Sequence, residues 1–171
     1  DDNQTTSIVL SINDLNSNDA YDSVSDQVVA AVTLDNDAPG FTVASSSGST
    51  FVGEGGPSDT IDVVLNAQPL TNVVILVSNS DPSEAAVGST SLTFTPANWS
   101  AAQTVTVNGV DDLIVDGDRP STITFAIDVS NSDNAFDLLP NQTVNVITTD
   151  NDTGVFSIAN TSALEGGGLT F

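Results

Sequence analysis

Two parts of this chain, 115 residues apart, carry similar residues in the same order, with Asp35 aligning on Asp150. SNDAYD (17–22) aligns with SDNAFD (132–137), TLDNDAPGFTV (33–43) with TTDNDTGVFSI (148–158), and TTSIVLSI (5–12) with PSTITFAI (120–127), all without a gap. A repeat of this length has the size of a domain. The chain therefore divides into the C-terminal part of one repeat (1–37), a complete repeat (38–152) and the N-terminal part of the next (153–171). The last part, FSIANTSALEGGG, matches FTVASSSGSTFVGEGG when four residues are dropped before Glu-Gly-Gly. The segment reads as a window on a longer array.

Within the complete repeat, alternation and β-branched residues predict seven strands, at 40–45, 60–66, 72–78, 90–95, 103–109, 121–130 and 142–148. Ser, Gly, Pro, Asn and Asp fill the intervals, as expected of turns. No stretch carries helical spacing. Seven short strands in a unit of this size predict an all-β fold, an antiparallel, immunoglobulin-like β-sandwich repeated in tandem. Phe94, Val105, Val107, Ile123, Phe125 and Ile127 are the expected core, and Trp99 is expected to anchor the core or a strand edge.

Charge narrows the chemistry. The chain has one Lys or Arg against 23 Asp or Glu, for a formal charge of −22. Nucleic acid is excluded as a natural partner because phosphate neutralisation needs cations the chain lacks. An anionic membrane surface is disfavoured for the same reason. No apolar run reaches the length of a membrane span and no signal peptide opens the segment, so any targeting signal is expected outside it. With no His and no Cys, the available metal ligands are carboxylate, amide and backbone oxygens, which suit calcium or magnesium.

Those oxygens are clustered. VDDLIVDGDRP (110–120) holds Asp111, Asp112, Asp116 and Asp118 beside a single cation, Arg119. If the strands at 103–109 and 121–130 are consecutive and antiparallel, this stretch connects them at one tip of the sandwich. The end of the last strand, with Asp150, Asn151 and Asp152, reaches the same tip, and the turn FVGEGG adds Glu54. Two unit charges 4 Å apart repel by about 4 kcal/mol at an effective dielectric near 20, and Arg119 offsets only one of the seven. The carboxylates must take up protons or a divalent cation. Calcium, which accepts six to eight oxygens in flexible geometry, fits loop carboxylates better than magnesium. Asp35 and Asp37 recur in the preceding repeat, where Asp1 and Asn3 match Asp116 and Asp118. An EF-hand is ruled out, since DDLIVDGD has neither its ligand spacing nor its helices.

The order DNDAPGFTV, VGEGG, LTFTPANW, QTVTVNGVDD and a closing DND resembles the Calx-β domains of sodium–calcium exchangers and large bacterial surface proteins. The resemblance covers the middle repeat and parts of both flanks. It implies calcium at the sandwich tip, with ligand roles on Glu54, Asp111, Asp112, Asp116, Asp118, Asp150 and Asp152. It also implies a weaker or backbone ligand at Asn151, and a further ligand at Asp81 or Glu84, where the alignment is poor.

These readings lead to a calcium-stabilised structural spacer in an extracellular surface, adhesin or filament protein. Its partners are neighbouring repeats of the same chain or further copies of itself. A calcium-sensing regulatory domain is the first rival, and an adhesive or self-assembling filament module the second. Catalysis is not expected, because a carboxylate pair acting on glycosides needs stacking aromatics, and the chain has one Trp and one Tyr.

Overall fold

In a computed structural model the protein is described over residues 3–13, 15–46 and 50–158. Among the described residues, eleven strands account for almost all regular structure: β1 (Gln4–Leu10), β2 (Gln27–Thr33), β3 (Phe41–Ser45), β4 (Thr50–Gly53), β5 (Asp59–Leu65), β6 (Val73–Asn79), β7 (Ala85–Val87), β8 (Ser91–Phe94), β9 (Gln103–Gly109), β10 (Arg119–Ile127) and β11 (Gln142–Thr149). The described helical residues are two short 3-10 turns, Asp19–Tyr21 and Asn134–Phe136. No described helix is long and apolar enough to cross a membrane.

Strands β3 to β11 form two sheets, β4-β11-β10-β6-β8 and β3-β5-β9-β7. Ile61, Val63 and Leu65 on β5, Val105 and Val107 on β9, and Ile123 and Phe125 on β10 alternate with less buried neighbours. This two-residue period turns one face of each sheet inward. Phe94, Phe125 and Phe136 are the largest fully buried side chains. Ile127 and Trp99 are partly buried and pack against this core.

All seven strands expected in the complete repeat are present, joined by β4 and β7. The sequence reading passes over both: β7 has three residues, too few to display alternation, and β4 lies in the Ser- and Gly-rich stretch SSSGSTFVGEGG, which reads as turn. They matter to the topology. The chain pairs first with β5 through β3, then crosses to the opposite sheet, where β4 runs parallel to β11 with Val146 opposite Thr50 and Thr149 opposite Gly53. The expected strand 121–130 stops at Ile127, where Asp128 turns the chain by accepting from the Ser130 N–H at 3.2 Å and, through its carbonyl, from the Asn131 N–H at 3.0 Å. Strands β9 and β10 lie in different sheets, so the acidic connection between them bridges the two layers.

The first segment forms a separate antiparallel hairpin, β1-β2. Its register, from Gln4 opposite Thr33 to Leu10 opposite Gln27, is the β10–β11 register, from Arg119 opposite Thr148 to Phe125 opposite Gln142, moved by the repeat length. The two 3-10 turns also coincide under that shift, each with an Asx cap: Asn18 Oδ1 accepts from Ala20 N–H, and Asp133 Oδ1 from Ala135 N–H, both at 3.0 Å. Most of residues 153–171 lie outside the described residues.

The repeated geometry separates local pairing from burial. Phe125→Ala is expected to destabilise the sandwich by about 3–5 kcal/mol. Leu10→Ala, at the matching hairpin position but exposed, should change it by under about 0.5 kcal/mol. Urea unfolding followed by Trp99 fluorescence measures both.

Candidate metal centre

The tip of the sandwich is assembled by backbone contacts between residues far apart in sequence. The parallel pairing of β4 with β11 continues past Gly53, where the Glu54 N–H donates to the Thr149 carbonyl at 3.2 Å. Glu54 also bridges to Gly109 at the end of β9. That approach requires glycine, because a Cβ on Gly109 would lie 2.2 Å from the Gly53 carbonyl oxygen. Gly55 then turns the chain away at a φ of +56° beneath the Asp111 carboxylate, a backbone conformation that glycine adopts freely. Three segments thus meet: the turn after β4, the start of the β9–β10 connection and the triplet after β11.

Among the described residues, Glu54, Asp112 and Asp152 each place a carboxylate oxygen within 4.8 Å of the other two. Glu54 is 4% exposed. The Asp152 Oδ2 is buried and has no hydrogen-bond partner. Burial pushes the Glu54 carboxyl above the usual range, as do Asp150, Asp112 and Asp152, against the Asn151 N–H that favours its charge. Asp152 is likewise pushed up, by burial and then by Asp150, Asp112, Asp111 and Asp116.

The other expected residues hold this trio in place. Asp150 accepts from the Asp152 N–H at 2.7 Å and the Gly117 N–H at 2.8 Å, and these donors lower its pKa. Asp118 accepts from the Asp150 N–H at 3.3 Å, and Asp112 from the Ile114 N–H at 2.7 Å. Asn151 joins the segments. Its side-chain amide donates to the Glu54 carbonyl at 2.5 Å and to Asp111 Oδ1 at 3.2 Å, tying two of the three segments to the third. An Asp at this position has no donor for either bond.

Asp116 stands to one side with Arg119, 3.4 Å from Oδ2 to Nε, and the same Nε lies 4.0 Å from Glu84. The lone described cation is therefore shared by two carboxylates and does not reach the trio. Glu84 is buried, and its pKa is raised by that burial and by Asp116 and Asp81, with Arg119 opposing. Its carbonyl accepts from the Val110 N–H at 2.8 Å and the Thr148 hydroxyl at 3.1 Å. Only the family resemblance pointed to Glu84, because the strand that positions it, β7, is too short to read. Asp81 is occupied by Ser83, whose hydroxyl donates to it at 2.5 Å.

Asp35 and Asp37 belong to the other junction. They line a cleft with Pro39, Ala67, Pro69, Leu70 and Asp133 at the opposite end of the sandwich. Their local geometry copies the first tip: the Asp35 N–H donates to Asn3 Oδ1 at 2.7 Å and the Asp37 N–H to Asp35 Oδ1 at 3.0 Å, as Asp150 and Asp152 do with Asp118 and Asp150. Asp1 lies outside the described residues.

No family model matches the sequence, and no curated protein matches it. Among solved structures, the chain is similar to the periplasmic chaperone SfaE at 6% identity and a TM-score of 0.48, covering 68% of this chain and 59% of that one. It is similar to domains 4 and 5 of the S-layer protein SbsC at 20% identity and a TM-score of 0.44, covering 72% and 59%. A third is the CsuC–CsuE chaperone–tip adhesion subunit complex of Acinetobacter baumannii, at 5% identity and a TM-score of 0.47, covering 64% and 51%. The chain thus spans about three fifths or less of these proteins, and its fold rests on its own strand pairing.

The raised acids give the metal-free protein an unusual acid response. For Glu54, Asp152 and Glu84 the folded state binds protons more tightly than the unfolded chain, so their unfavourable contribution at neutral pH is relieved as pH falls through the raised values. Asp150 and Asp81, held below the usual range, act oppositely and lose their contribution at lower pH. In chelator, the melting temperature is expected to rise as pH falls from 7 towards the ordinary carboxylate range and to fall again below that range. Differential scanning calorimetry across that range measures it.

Proposed function

We propose that this chain is a calcium-stabilised structural spacer of Calx-β type, in which metal held at the tip of each repeat stiffens its junction with the next. The observation that carries the reading is the trio of Glu54, Asp112 and Asp152, one of which, Asp152, also holds a buried oxygen without a hydrogen-bond partner. Buried carboxylate oxygens require hydrogen bonds, protons or a cation, and this donor set, all oxygen, fits a hard cation of flexible coordination. Glu54, Asp112 and Asp152 would hold it, with Asp111 as a further oxygen on the rim.

The position of the triplet supports a mechanical role. Asp35–Asp37 is followed by only three residues before β3, and Asp37 and Pro39 border loops at the base of the complete sandwich. A cation gripping such a triplet anchors the linker to the tip loops and limits bending. Binding to the ordered state alone adds RT ln(1 + [L]/Kd), about 2.7 kcal/mol at a hundredfold excess of ligand. Millimolar calcium, as in extracellular media, fills even a modest site, and this supports a place at the cell surface or beyond it. Calcium also supplies cross-linking that small secreted domains otherwise obtain from disulfides.

Saturating calcium is expected to raise the melting temperature by roughly 10 °C over chelator. Glu54→Gln should melt no lower than the wild type in chelator, since it removes one of the mutually repelling charges, and should lose most of the calcium shift. A wild-type shift of under about 2 °C, or full retention of the shift in Glu54→Gln, overturns the reading. The same shift from magnesium alone reassigns the ion.

A further inference from the structure

Asn151 turns three donors onto the tip of the sandwich. Its backbone N–H reaches Glu54 Oε2 at 3.4 Å, and its side-chain amide reaches the Glu54 carbonyl at 2.5 Å and Asp111 Oδ1 at 3.2 Å. An Asn side chain carries two amide hydrogens, so this amide has both of them on oxygen. Asp111 Oδ1 is closely packed on its other side, where a Cβ on Gly55 would lie 3.0 Å from it. A partial positive charge therefore sits between a backbone carbonyl and a carboxylate, two oxygen types that a calcium ion gathers.

The outer acids of the tip are also served from within the chain. Arg119 Nε stands 3.4 Å from Asp116 Oδ2 and 4.0 Å from Glu84 Oε1, and Asp150 accepts from the Gly117 and Asp152 N–H groups. Glu54 and Asp152 differ. Glu54 is 4% exposed, and among the described residues its carboxylate accepts only the long bond from the Asn151 N–H. Asp152 Oδ2 is buried with no partner. Built-in positive groups thus cover both flanks of the tip, and the trio between them is the part left for an ion from outside.

We propose that the Asn151 amide stands in for a second cation, so that the tip takes one calcium ion where an acidic residue at position 151 would make it take two. This rests on the calcium reading of the trio and adds the number of ions and the residue that sets it. Replacing Asn151 with Asp removes both amide hydrogens and sets a carboxylate against the Glu54 carbonyl and Asp111, so those oxygens must separate or bind a further ion. Replacing it with Ala removes the same hydrogens and adds no ligand.

Equilibrium dialysis of the full chain against calcium is expected to count one ion in the wild type that Glu54→Gln loses, one ion more than the wild type in Asn151→Asp, and no gain in Asn151→Ala. In chelator, both Asn151 variants should melt about 3 °C or more below the wild type, since each loses two hydrogen bonds, and Asn151→Asp should be the lower of the two. Saturating calcium should restore most of the loss in Asn151→Asp and leave Asn151→Ala below the wild type. An amide that acts only as a structural tie gives Asn151→Asp the ion count of the wild type. That count, a gained ion in Asn151→Ala, or two ions lost from the wild type by Glu54→Gln overturns the proposal and leaves the calcium reading standing. A wild type that binds no calcium overturns both.

Discussion

The parallel pairing of β4 with β11 is the interaction on which the tip depends. It places Glu54 against the Thr149 carbonyl and so delivers an acid from near the start of the repeat to the triplet that ends it. Without that crossing from one sheet to the other, Glu54 would sit in a surface turn, solvated and unremarkable. With it, the carboxyl is buried beside Asp112 and Asp152. The backbone has enforced a proximity that the charges oppose.

The molecule stabilises this arrangement with neutral donors. Backbone N–H groups of Gly117 and Asp152 satisfy Asp150, and the Asn151 amide bonds to Glu54 and Asp111. Arg119 is drawn off to Asp116 and Glu84. The division is physically sensible: dipoles hold the frame of the trio, while the single arginine offsets the acids farther out. A second copy of the same local geometry stands at Asn3, Asp35 and Asp37, 115 residues earlier in the chain.

Much of the fold was legible because strand periodicity is a local signal. Ile123, Phe125, Val105 and Val107 announce an inward face by alternation alone, and all four are fully buried. Strands β4 and β7 were not legible, because their existence depends on partners, β11 and β9, supplied from far along the chain. The same reason hides Glu84, which stands just before β7. Asn151 looked like a loss because a carboxylate in its place adds a ligand; only its two bonds reveal that an amide donor is what joins the segments.

The sequence by itself determined the all-β character, the 115-residue spacing of similar motifs and an oxygen-only set of acidic side chains with one counter-charge, since each follows from residue type and spacing along a line. Tertiary structure decided which three of those acids share one small volume and which serve as props. That choice depends on the β4–β11 pairing and on the close passage of Gly109 over Gly53. Both are contacts between segments tens of residues apart, and nothing in the local order of residues prescribes them.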